Sequence, residues 1–188
     1  ISDTSITATK FEPEPKPVLT EKPVTPDQPV INDKLKNVKQ KLGVTLYVHN
    51  DEPNARSLKD TTSLDYKQTY ESYASLLGEY KRQYTRGLNG DAKAVKEKEL
   101  DTLFAKVDKG FYDLVAFTSQ LNDLLEAGNK VEITVKGYCS PLNYNDYNIK
   151  LGYRRVASLR NYIYHYRDGI LMPYITNGSL KLVNESFG

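Results

Sequence analysis

Along Val131–Tyr138 apolar and polar positions alternate, with Val131, Ile133 and Val135 on one side and Glu132, Thr134 and Lys136 on the other. Strict period two with β-branched residues predicts a half-buried strand. Gly137 and the Ser140-Pro141 pair end it, because proline cannot donate to a ladder and restrains the residue before it. From Asp146 the period changes. Ile149, Val156, Leu159, Ile163 and Tyr166 recur at helical spacing and make one apolar face. Asn145 or Asp146 suits the N-cap of that helix. A strand, a polar loop and a long helix therefore follow one another, and the positive end of the helix faces the loop.

The same reading extends along the chain. Val44–His49 (VTLYVH) predicts a strand, and Asn50-Asp51-Glu52-Pro53 after it reads as a turn. Tyr66, Tyr70, Tyr73, Leu77, Tyr80 and Tyr84 form a stripe at intervals of three or four, which predicts one amphipathic helix over Asp65–Thr85. Asp91–Lys109 is again helical, and the Gly87-Leu88-Asn89-Gly90 turn makes an antiparallel hairpin of the two. Gly110–Gly128 carries Phe111, Leu114, Phe117, Leu121 and Leu124 as a further helix, closed by Gly128. Ser179–Val183 alternates as a last strand. Strand, helical hairpin, helix, strand, helix and strand in this order predict an α/β sandwich, with helices on one face of a small mixed sheet. Residues 1–36 hold six of the nine prolines and few large apolar residues, so they read as an extended linker before a domain at 37–188.

Composition narrows the function classes. The chain has 188 residues and a net charge of +2, with both signs interspersed, so no nucleic acid or other polyanion is expected as partner. No apolar run approaches the roughly 20 residues of a membrane span, and any export signal is expected upstream. The two histidines, His49 and His165, lack zinc-ligand spacing, and neither a phosphate loop nor a nucleophile elbow occurs. A Cys139 nucleophile with His49 as base is the one catalytic arrangement to weigh. Cys139 ends an apolar strand, however, where a thiol behaves as a small hydrophobe. No enzyme activity, metal or cofactor is expected.

The loop before the long helix is a candidate anion site. A helix start offers unpaired N–H groups and partial positive charge. Asn148 supplies an amide one turn in, and Arg154 and Arg155 two turns in carry guanidinium groups that bind carboxylates bidentately. The plainer alternative is that both arginines lie on a solvated helix face.

GYCSPLNYNDYNIKLGYRRVASLRNYI resembles the peptidoglycan-binding motif of OmpA C-terminal-like domains. Gly137, Tyr138, Tyr147, Asn148, Leu151, Arg154, Arg155, Ser158 and Tyr162 match it in order and spacing, nine positions within 26 residues. Cys139-Ser140 stands where the family usually has Thr-Asp, and Val156 where it has Ala. The Ser-Pro version is similar to the form in Bacteroidetes periplasmic proteins, including members of the type IX secretion machinery. The resemblance covers about 95 residues, the first strand and Gly110 onward, and makes residues 54–108 a helical insertion.

Several expectations follow from the resemblance. The fold would be an OmpA-like βαβαβ sandwich. The activity would be noncatalytic binding of the meso-diaminopimelate of a peptidoglycan stem peptide. A lipoprotein or other outer-membrane-associated complex, such as a secretion machine, would thereby be anchored to the wall from the periplasm. Arg155 would take the ligand carboxylate, Asn148 would orient it, and Tyr147 and Leu151 would line the pocket. Ser140 stands where relatives place an aspartate for the ligand ammonium, and Asp51 is the substitute. In the family's first-strand pattern Asp51 matches and His49 departs. The alternative function is a protein–protein interaction module that works through the tyrosine-striped hairpin.

Overall fold

The computed structural model describes residues 2–10, 43–139 and 145–187, with the backbone alone for 2–10 and Asn145. Ser140, Pro141 and most of the proline-rich segment lie outside the described residues. Alternating burial marks out the sheet. In β2 (Val44–Val48), Val44, Leu46 and Val48 are buried, as are Val131, Ile133 and Val135 in β3 (Val131–Tyr138). β4 (Leu180–Phe187) runs parallel to β3 and is longer than the alternation over 179–183 implied. β1 (Ser2–Lys10) lies between β2 and β3, antiparallel to both, and gives the order β2-β1-β3-β4.

β1 corrects the linker boundary. The prolines begin at Pro13, whereas Ser2–Lys10 contains Thr4, Ile6, Thr7 and Thr9 and no proline. Averaged over 36 residues, that composition reads as tether. Taken alone, it is strand-forming.

The helices depart from expectation in two places. The tyrosine stripe is split into α1 (Tyr66–Ala74) and α2 (Leu77–Tyr84). Asp65 starts α1 with a capping box to Gln68. Ser75 Oγ, donating to Ser72 O at 2.7 Å, competes with the helical ladder at the break. The second departure is α3 (Gly90–Glu126), one helix of 37 residues where two were expected. Gly110 is not a boundary within it. A Cβ there would lie 2.5 Å from Thr45 O, so glycine allows α3 to cross β2 at close range. Gly128 does close the helix with a left-handed φ of 80°, its N–H donating to Leu125 O.

An insertion bounded at 108 is therefore not separable, because that boundary falls inside α3. The stripe is also shared between two clusters. Tyr66 is buried in the main core with Leu114, Phe117 and the strand residues, and its hydroxyl donates to Tyr47 O. Tyr70 stacks on Phe111 with centroids 4.1 Å apart. Tyr73 is buried in a satellite cluster with Phe104 and Val107, and Tyr80 packs against it. Of the stripe's tyrosines, Tyr84 alone is largely exposed, at 56%.

α4 (Asn145–His165) packs over β3 and β4 through Val156, Leu159 and Ile163, which join the same core. A short 3-10 turn (Tyr166–Gly169) and α5 (Met172–Thr176) lead to β4. The opposite sheet face carries the ion pairs Lys181–Glu132 and Lys136–Glu185. The architecture is mixed α/β, with the helices on one face of a small sheet. Among the described residues no helix is long and apolar enough to cross a membrane.

Candidate functional site

Two glycines seat α4 against the sheet. A Cβ on Gly137 of β3 would fall 2.4 Å from Gly152 O, and one on Gly152 would fall 2.2 Å from Ser186 Oγ of β4. Ser186 Oγ donates to Ile149 O at 2.7 Å, which ties β4 to the first turns of the helix. Arg154 and Arg155 follow Gly152 within the next turn of the same helix. They are 0% and 1% exposed, which overturns the solvated-face alternative.

The two guanidinium groups diverge. Arg154 holds the segment after β2: its Nε donates to Pro53 O at 3.0 Å and its Nη1 to Ser57 O and Lys59 O, each at 2.7 Å. Its Nη2 reaches the Tyr147 hydroxyl at 3.3 Å, and the group lies over the Tyr147 ring. Arg155 gathers the strand ends. It donates to Glu52 O at 3.1 Å, Tyr138 O at 2.6 Å and His49 O at 3.3 Å, and touches the Cys139 thiol at 3.5 Å. Burial lowers the Arg155 pKa, and the nearby Arg154 charge acts in the same direction. Arginine stays protonated all the same, so the site holds two permanent positive charges.

Asp51, 96 residues from Tyr147, joins them. The Tyr147 hydroxyl donates to one oxygen of Asp51, and the Arg56 N–H donates to the other at 3.1 Å. The same Arg56 N–H lies 3.2 Å from the Tyr147 hydroxyl. Burial, with the Asp51 carboxylate beside it, raises the Tyr147 pKa and keeps the phenol protonated as a donor. The backbone here is unusual: Asp51, Asn54 and Arg56 all have φ near +60°, the left-handed region. Asn148 and Leu151 are buried, at 3% and 5% exposed, and Asn148 O accepts from the Cys139 thiol at 3.2 Å.

The structure thus brings Asp51, Tyr147 and Arg155 together and joins Asn148 to Arg155 through the Cys139 thiol, while Leu151 is buried on the same helix and Ser140 lies outside the described residues. The N-cap expectation needs correction. α4 begins at Asn145, so Asn145 and Asp146 are first-turn residues, and the residue before them is outside the described set. Asp146 already places negative charge at the positive end of the helix, which leaves the two arginines as the cations of the site.

The Cys139–His49 pairing is not formed. The His49 ring packs on Tyr73 and Tyr80, at centroid distances of 5.4 and 6.0 Å. Burial raises the Cys139 pKa despite the adjacent arginines, so the neutral thiol is favoured. Among the described residues no cluster of His, Cys, Asp and Glu could hold a metal ion.

Two partners of the site escaped sequence reasoning. Asn161, seven residues after Arg154 and so on the same helix face, donates to Thr62 O at 2.9 Å and Leu64 O at 3.1 Å. Arg154 and Asn161 together clamp residues 53–64 along α4. Arg56 enters through its backbone N–H, a role that no side-chain pattern records. No family model, curated protein or solved structure matches the chain.

Proposed function

We propose that this chain is a noncatalytic, OmpA-like module that binds the diaminopimelate-containing stem peptide of peptidoglycan and anchors an outer-membrane or secretion-associated complex to the wall. One observation carries the reading. Arg155 is a fully buried cation, and among the described residues no carboxylate lies within ion-pair distance of it. A buried charge is costly unless paired. Backbone carbonyls and the nearby Asp51 charge compensate it in part, and a ligand carboxylate would add to that compensation. The same group supports the end of β3 and the turn at Glu52, so a ligand bound to it would meet a rigid frame. Asp51 stands nearby as a carboxylate whose spare lone pairs can accept from a ligand ammonium. A carboxylate and an ammonium close together are what the end of the diaminopimelate side chain presents.

Titration of the full chain with a diaminopimelate-containing muropeptide tests this. Saturable binding that co-sedimentation with insoluble peptidoglycan reproduces is the expected result. An absence of saturable binding at millimolar ligand would refute it.

A further inference from the structure

Beside the clamped segment lies a cleft of about 130 Å³. Its floor is apolar, formed by the buried Val156 and Ala157 of α4. Its rim is polar: Asp60 and Thr61 from the clamped segment, Tyr153 and Arg160 from α4, and Asn184 from β4. Asp60 and Arg160 line one cleft without forming an ion pair, and the buried Arg160 Nε has no hydrogen-bond acceptor among the described residues. The Arg160 guanidinium rests instead over the Tyr164 ring, 5.9 Å from its centroid. Both opposing charges are held apart by supports of their own. Arg154 and Asn161 pin the carbonyls of Lys59 and Thr62 on either side of Asp60 and Thr61, and the aromatic ring holds Arg160.

We infer that this cleft is a saccharide subsite, one that takes a neutral N-acetylated sugar of the same wall polymer; the inference rests on the peptidoglycan reading. A sugar ring pairs C–H faces with hydroxyls that both donate and accept. The cleft offers an apolar floor and a 41% exposed tyrosine ring for the former. For the latter it offers an acceptor in Asp60, a donor in Arg160, and Thr61 and Asn184, which serve either way. A phosphorylated ligand is disfavoured by Asp60, and the small open cleft would seat one face of a sugar ring rather than enclose it.

Arg160 follows Arg155 by five residues, about 7.5 Å along the helix and about 140° around it, a surface path of about 14 Å. An extended tripeptide backbone alone reaches about 10 Å, so the bridge from a muropeptide held at Arg155 to the cleft also uses the lactyl link to the sugar and the diaminopimelate side chain.

Calorimetry of the full chain with three ligands tests the inference: the free diaminopimelate tripeptide, the disaccharide-tripeptide and the disaccharide alone. Wild type should bind the disaccharide-tripeptide about tenfold more tightly than the tripeptide, the scale of one or two added hydrogen bonds. Tyr153→Ala and Asn184→Ala alter exposed side chains and should erase that gain while leaving tripeptide binding unchanged. Equal binding of the two peptides by wild type, or a gain that survives both substitutions, overturns the subsite and leaves the stem-peptide reading standing. If the tripeptide fails to bind while the disaccharide binds and Tyr153→Ala abolishes it, the stem-peptide reading falls and the sugar cleft stands. Binding of none of the three overturns both.

Discussion

Two buried regions of this protein are held by different physics. Around Arg154 and Arg155 the contacts are charge-assisted hydrogen bonds to named carbonyls in the 49–59 segment and at the end of β3. In the satellite between α1, α2 and α3 the contacts are tilted and edge-on aromatic rings, such as Phe104 with Tyr73 at 5.3 Å and with Tyr80 at 5.4 Å. Hydrogen bonds are directional, and a buried partner left without its mate costs the full desolvation of that group. Ring packing is graded and tolerates volume-conserving exchange. The first region therefore specifies one arrangement of chain segments far apart in sequence, and the second mainly supplies buried area.

The largest test of this contrast removes the aromatic region outright. Deletion of residues 54–108 with a short joining loop should abolish cooperative folding. It takes Tyr66 from the main core, half of α3 and the Ser57 and Lys59 carbonyls that Arg154 holds. A sharp urea transition in the deleted protein would show that the satellite is a separable hairpin after all.

Next in size is Arg154→Ala, which strips the donor from three carbonyls and should lower stability by about 3 kcal/mol. Arg154→Lys should recover little of this, since an ammonium lacks the planar fork that reaches all three. Urea midpoints at unchanged slope measure both, and full rescue by lysine would mean that charge alone matters there.

Phe104→Leu in the satellite should cost less, about 1 kcal/mol, as a near-conservative exchange among adaptable rings. A loss as large as that of Arg154→Ala would erase the distinction between the regions.

The smallest effect concerns pH. Burial and the hydrogen bond to Asp108 push the Tyr70 hydroxyl up to about 12, above the ordinary phenol value near 10. Because the folded state holds this proton more tightly than the unfolded chain, its contribution is complete below pH 10. It is lost as pH rises toward 12. Burial raises the pKa values of Tyr66 and Tyr73 in the same direction. Stability should fall between pH 10 and 12, less steeply in Tyr70→Phe than in wild type. Identical slopes in the two proteins would remove Tyr70 from the linkage.

Where period decided the structure, the sequence was readable. β3 runs Val131–Tyr138 as its alternation implied, and the apolar face of α4 from Val156 to Ile163 joins the core. Local signals misled where a residue type serves two purposes. Gly110 looks like punctuation, but its missing side chain serves a close crossing inside one helix. Ser2–Lys10 was hidden by the prolines that follow it, and its pairing between β2 and β3 is a long-range fact that composition does not carry. At the site, Asp51, Tyr147 and Arg155 stand out as residue types in a turn and on a helix. That a tyrosine hydroxyl would meet a carboxylate 96 positions away depends on the left-handed turn at Asp51 and Arg56, which a sequence of Asn, Asp and Arg only permits.

The central claim is that Arg155 recognises a ligand carboxylate while Asp51 takes its ammonium. Calorimetry with matched diaminopimelate- and lysine-containing tripeptides, on wild type, Arg155→Ala and Asp51→Asn, tests it most directly. Lysine keeps the ammonium and lacks the second carboxylate, so wild type should prefer diaminopimelate. Arg155→Ala should lose about 2–4 kcal/mol of binding to it and with that the preference. Asp51→Asn should weaken both ligands alike, about tenfold for a 1.4 kcal/mol loss. Arg155→Ala binding the diaminopimelate peptide as wild type does, with the preference intact, would contradict the account.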